Sequence, residues 1–284
     1  MIKIFFKFFK KNPLALLGAI IIFFSVMLSI LGPFLPLQDP LTQNLANRLK
    51  PPSKEHICGT DSYGRDVLSR LIWGGRVSLL VGIISVSIGS IIGVIFGVIS
   101  GYFGNLWDVL IMRITDILLS FPALLLAMAI CAAIGSNFWN VIIAIAIVTV
   151  PRFSRLVRGS TLAVKEIDYV EAARALGQKP IKIILKHVIP NILSPILVLA
   201  TLWIPAAIIT ESSLSFLGLG IMPPTPTWGN MISEGKSFLQ NAPWISIYSG
   251  FSIVLVVMAF NFVGDAVRDA FDPRLKGERE VGRG

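Results

Sequence analysis

Five stretches of this chain carry no Asp, Glu, Lys or Arg: Asn12–Gln38, Val77–Trp107, Ile117–Pro151, Val188–Thr210 and Ser237–Gly264. A helix needs roughly 20 apolar residues to cross a bilayer, so each stretch is a candidate span. The third is too long for one helix and breaks at Gly135-Ser136-Asn137. It reads as a hairpin whose first helix starts near Asp108 and whose second ends near Arg155. The expectation is an all-α membrane protein with six transmembrane helices. Composition agrees: 14% of residues are charged and 54% apolar, against about 25% charged in soluble domains.

The net charge of +9 could suggest nucleic acid, but the charges lie between the apolar runs, where membrane topology puts them. With the N-terminus inside, the inner segments hold seventeen Lys and Arg and the outer segments seven, with Arg113 inside a span. This bias predicts both termini in the cytoplasm and the chain in the cell inner membrane. Residues 37–76 run against it, because six basic residues fall on the outer side. The first span follows Lys3, Lys7, Lys10 and Lys11, as in a signal peptide, but no A-x-A site follows it and the apolar run is long. The layout expected is a cytoplasmic segment over 1–12, a first helix and outer loop over 13–75, a core over 76–268 with a loop at 152–187, and a tail over 269–284.

Within the spans, Ser85, Gly89, Gly93, Gly97 and Gly101 recur every fourth residue. Small residues on one helix face let two backbones approach closely in lipid. Packing within the chain is favoured over packing against a partner. Pro195 and Pro205 interrupt the fifth span, and proline frees the carbonyl four residues earlier. Such carbonyls are tolerated where helices or a water-filled path satisfy them. Ser194, Pro195, Thr201 and Pro205 are therefore candidates for lining a path, with a plain packing kink as the alternative. Arg113 and Asp116 are spaced to pair across one turn of the third span, as a structural salt bridge.

Catalytic constellations are missing from the sequence. Gly229–Ser237 imitates a phosphate loop, but it has five residues between its glycines instead of four, and no preceding strand. His56 and His187 fall on opposite sides of the membrane. Neither GxSxG, HExxH nor CxxC spacing occurs. No cofactor or metal is expected on this chain. A passive channel, a secondary carrier and the membrane half of an externally powered machine remain open at this level.

The loop between the fourth and fifth spans narrows the choice. Asp168 is placed as an N-cap with Glu171 as its capping-box partner. Ala172, Ala173, Arg174 and Ala175 follow, then Gly177 as a left-handed stop and Pro180 in the first turn of the next helix. A short, well-terminated helix held between two spans is a rigid knob for docking another protein. Glu171-Ala172-Ala173, Gly177 and Ile189-Pro190 resemble the EAA motif of ABC importer permeases, with His187 where the family often has an aliphatic residue. Gly59–Arg70, Gly75–Leu79, Glu211–Gly220, Pro223-Pro224, Trp228-Gly229 and Asp272-Pro273-Arg274 resemble the dipeptide, oligopeptide and nickel subfamily, nearest its "C" permease.

The resemblance implies a type I importer permease fold. It assigns ATPase coupling to Asp168, Glu171, Ala172, Ala173, Arg174, Gly177 and Pro190. It implies a homologous second permease, two ABC ATPase subunits that bind ATP and Mg, and an extracytoplasmic binding protein. This chain would be a pore subunit without its own active site, carrying di- or oligopeptides, with nickel, a nickel chelate or glutathione as alternatives.

Overall fold

The structure is a computed structural model that describes residues 12–271. Asp272-Pro273-Arg274, the basic tail and the four N-terminal lysines lie outside the described residues. Among the described residues the regular structure is helical, and five helical segments are long and apolar enough to span a membrane.

The first, α1 (Pro13–Leu31), begins at Asn12, whose side chain accepts from Ala15 N, with Pro13 in the first turn. It leaves Phe23 and Phe24 exposed, an apolar surface suited to lipid. Its Gly18 lies against the backbone of Ala259 in the last helix, α10 (Trp244–Phe271). The second span is α2 (Val67–Phe103), started by Asp66, which caps Ser69 N at 2.9 Å. Its 37 residues reach about 55 Å, well beyond a hydrocarbon core of about 30 Å. The helix starts ten residues earlier than the charge-free stretch, taking in Arg70 and Arg76, because Asp66 caps it ahead of both.

The third span departs from expectation. It is two helices, α3 (Asn105–Ser120) and α4 (Ala123–Ile134), bent by 96° at Phe121-Pro122. Phe121 is extended, as the residue before a proline prefers. The chain therefore has six spans only when this bent pair counts as one. The expected break at Gly135-Ser136-Asn137 is present, and Asn137 caps α5 (Phe138–Lys165) through Asn140 N at 2.9 Å. α5 continues ten residues past Arg155.

After α5 come α6 (Asp168–Ala175), a single turn α7 (Pro180–Ile183), a π-helical turn at Ile184–Val188, and α8 (Ile189–Phe216). These last three run on as one 37-residue span. Proline cannot donate a backbone hydrogen bond, so Pro190 relaxes the ladder just where the π turn ends. A short helix, α9 (Trp228–Gly235), links α8 to α10. Gly229, the first glycine of the phosphate-loop imitation, sits in α9 against the Ser212 backbone and leaves no space for a phosphate.

The main core joins α2, α4, α5, α6 and α8 through residues such as Val86, Cys131, Ile142, Phe153, Val170 and Ile192. The glycine stripe forms its closest seam. A Cβ at Gly93 would fall 2.5 Å from Phe153 Cβ, and one at Gly97 2.6 Å from the Ser154 carbonyl. Gly89 and Gly101 meet Thr149 and Thr161 in the same way. All four lie against α5 of the same chain.

Candidate coupling helix and transmembrane path

The short helix α6 forms as read, but its first turn is built differently. Ile167 is the N-cap and makes no side-chain cap. Asp168 is the first helical residue, so it cannot accept as an N-cap, and the Asp168–Glu171 capping box is not made. Both carboxylates instead stand in the first turn, where the positive end of the helix dipole favours them. At the other end Gln178 N donates to Ala173 O at 3.1 Å and Gly177 N to Arg174 O at 2.9 Å. This is a Schellman stop, with Gly177 at φ +76°. A Cβ at Gly177 would meet nothing within 4 Å, so the requirement for glycine there is conformational rather than steric.

Three contacts seat α6 on the bundle. Val170 is fully buried and Ala173 packs on the main core. The Arg174 guanidinium lies 6.0 Å from the Tyr102 ring of α2. Tyr169 accepts from Asn191 Nδ2 at 2.8 Å and sits beside the His187 ring. The Ala172-Ala173 pair therefore divides, with Ala173 inward and Ala172 outward. Glu171, Ala172, Ala175, Gly177 and Pro190 are exposed, and so are Leu176, Ile181 and Leu185. Leu176, at 87% exposure, projects into open space.

Along α8, Ser194, Pro195 and Thr201 are half-buried, whereas Pro205 is buried against neighbouring helices. Thr201 donates back to Val198 O at 2.8 Å. Pairing of Arg113 with Asp116 is not observed. Asp116 accepts from Arg155 of α5 at 2.6 Å, and Asp108 accepts from Arg158 Nε and Nη2 at 2.5 and 2.6 Å. The acids of α3 thus serve the next helix in space rather than their own.

Two polar features escaped the sequence reading. Glu211 of α8 is fully buried and accepts from Ser78 Oγ at 2.7 Å and Ser215 Oγ at 2.8 Å, tying α8 to α2. At the end of the bundle opposite α6, Asp61, Arg65, Arg70 and Glu234 form a knot. Arg65 Nε donates to Asp61 at 2.6 Å and its Nη2 to Glu234 at 2.8 Å. Arg70 donates to Asp61 and, at 2.7 Å, to Glu234. His56 lies 3.0 Å from Asp66 beside it. Two of the six basic residues that strained the charge rule are thus neutralised inside the protein. The only sequence signal was that surplus itself. Nearby, burial and the Asp66 carboxylate push the Cys58 thiol above its ordinary range, so near neutral pH it remains a thiol.

Comparison with known proteins agrees with this geometry. Residues 93–277 match the family described as "Binding-protein-dependent transport system inner membrane component", and residues 1–52 match the N-terminal TM domain of oligopeptide transport permease C. The dipeptide transport system permease protein DppC of Alkalihalophilus pseudofirmus is 47% identical, over 95% of this chain and 89% of its own. The glutathione transport system permease protein GsiD of Escherichia coli is 41% identical, over 96% and 90%. A chain of the MetNI methionine ABC transporter, solved in inward-facing conformations, superposes with a TM-score of 0.59 at 19% identity. That match covers 72% of this chain and 98% of the other, and it shows the fold. The chain belongs to the family of binding-protein-dependent transport system inner membrane components and is a permease subunit of an ABC importer.

Proposed function

We propose that this chain forms half of a path for di- or oligopeptides and docks its ATPase subunit through α6. The carrying observation is α6 itself: a helix closed by a Schellman stop, seated on the core by Val170 and Ala173, with Glu171, Ala172, Ala175 and Leu176 facing outward. An exposed apolar tip on a seated helix suits a groove in a partner, because the helix has little conformational entropy left to lose on docking. α6 and both termini then lie in the cytoplasm, in keeping with the charge bias. The knot end faces outward, toward a binding protein that delivers the ligand.

In this reading ATP and Mg bind the two ATPase subunits, and a homologous permease completes the path. Coupling is mechanical. ATP has unequal affinity for two states of the ATPase pair, and α6 transmits the difference to the helices. The substrate assignment leans on the 47% identity to a dipeptide permease. A glutathione carrier is the second reading, favoured by the 41% identity to a glutathione permease. Titration of the cognate binding protein with dipeptides, longer peptides and glutathione separates the two. A binding protein that takes none of these ends the peptide assignment. Failure of the ATPase subunits to co-purify with the intact permease pair would end the docking assignment.

A further inference from the structure

Three arginines follow one another on α5 at intervals of three: Arg152, Arg155 and Arg158. The second and third are matched by Asp116 and Asp108 of α3. Among the described residues Arg152 has no hydrogen bond or ion pair. It lies instead over the ring of Trp203 in α8, its guanidinium carbon 4.1 Å from the centroid, and it is half-buried.

Depth makes this arrangement unusual. Arg152 is fourteen residues into the 28-residue α5, about 21 Å from either end at 1.5 Å per residue. Arg152 therefore lies mid-helix, deeper along α5 than Arg155 and Arg158, which follow it toward the α6 end. Trp203 lies at the same level, thirteen residues before the end of α8. The two helix ends are neighbours there, since Ser136 Oγ, in the turn before α5, donates to Leu219 O just beyond α8 at 3.1 Å. A charged guanidinium at such depth needs water or an anion, because burial in lipid alone is costly. The surroundings are polar in a second respect. Pro151 leaves the Ile147 carbonyl without its helical donor, and Pro205 does the same for Thr201. Freed carbonyls of this kind are satisfied by neighbouring helices or by water.

We propose that Arg152, stacked on Trp203, is an anion station in the transmembrane path that receives the carboxylate of a passing substrate. The planar guanidinium is suited to this: one face is held by the indole while its edge N–H groups remain free for a carboxylate. The proposal rests on the importer reading and adds a ligand class to it, small organic carboxylates such as the C-terminus of a peptide. Stacking on Trp203 keeps the cation in place without an acid from the described residues of this chain. A permanent acid partner would have occupied the guanidinium, as Asp116 and Asp108 do for the two arginines that follow.

The test uses the full complex in nanodiscs, labelled with 5-fluorotryptophan, with the Trp203 fluorine resonance assigned by its loss in Trp203→Phe. The probes are N-acetylalanine and N-acetylalanine amide, which share a shape and differ in the carboxylate. N-acetylalanine should shift the Trp203 resonance saturably and the amide should not. Arg152→Gln should weaken the acid's effect by about tenfold or more, the scale of one charge-assisted hydrogen bond. Arg152→Lys keeps the charge and loses the planar stack, and should fall between. Equal shifts from acid and amide, or a shift that survives Arg152→Gln, overturn the proposal. A complete lack of response in the wild-type complex also overturns it. If Arg152→Gln fails to assemble, the acid-against-amide contrast in wild type and Arg152→Lys decides. The titration needs no binding protein, so failure of peptide uptake by the wild type would refute the substrate assignment separately.

Discussion

The two ends of this bundle handle charge in opposite ways. At one end Asp61, Arg65, Arg70 and Glu234 draw together segments up to 173 positions apart, and the two arginines are almost fully buried. At the other end α6 keeps Asp168, Glu171 and Arg174 on its surface and buries only Val170 completely. The first end spends its ionic groups on internal order. The second leaves them, with the apolar tip Leu176, available to another molecule. In an importer permease this suits a fixed rim at one side and a docking element at the other.

The contrast can be broken most severely at the knot. Arg70→Ala leaves Asp61 buried beside one cation instead of two. Loss of one partner from a buried ion pair costs about 3–5 kcal/mol, so the variant should lose thermal stability and fold in low yield. Wild-type melting of purified Arg70→Ala would remove the knot from the account of stability. Next in size is Gly97→Val, which sets a branched side chain against the Ser154 carbonyl and Val157. Overpacking of this kind costs about 1–3 kcal/mol, and the loss should appear in melting of the isolated subunit, before any partner binds. Stability that drops only in the assembled complex would shift the stripe's role to a partner.

On the docking proposed above, the α6 end should respond in function rather than in stability. Gly177→Val places a branched residue at φ +76°, a strain of about 1–2 kcal/mol. Membrane insertion should be normal, while ATP hydrolysis proceeds with reduced uptake; unchanged uptake would count against the left-handed turn. Glu171→Lys puts a cation at the positive end of α6, which costs about 0.3–1 kcal/mol in helix stability, and it should weaken ATPase co-purification. Smallest of all, Arg155→Gln removes an ion pair that is more than half exposed on both sides. Such pairs contribute about 0–1 kcal/mol, and melting should barely move. A large drop would mean that Asp116 and Arg155 are covered in the complex.

What the sequence revealed followed the range of the interactions. The break at Gly135–Asn137, the stop at Gly177 and the glycine spacing are local, because backbone conformation and a helical period can be read within a few residues. The bend at Phe121-Pro122 was also local, and the signal was Pro122 itself inside an apolar run, masked by the continuous hydrophobicity around it. Asp168 was misplaced by one residue because capping depends on where the preceding turn ends, and Ile167 set that point. The remaining features required tertiary knowledge. Nothing near Arg70 announces Glu234, nothing near Arg152 announces Trp203, and Arg113 looked like the partner of Asp116 only because the competing Arg155 comes from another helix.

The glycine seam between α2 and α5 also has a kinematic consequence. Two rods in backbone contact at four successive levels have no soft side-chain layer in which to slide or roll. They behave as one stiff beam, anchored to the knot at one end through Arg70 and touching α6 at the other through Tyr102. A push received at α6 would arrive at the far rim undamped. On the coupling proposed above, any change in the opening would be taken up elsewhere: in the proline-interrupted α8 and in the right-angled corner at Phe121-Pro122.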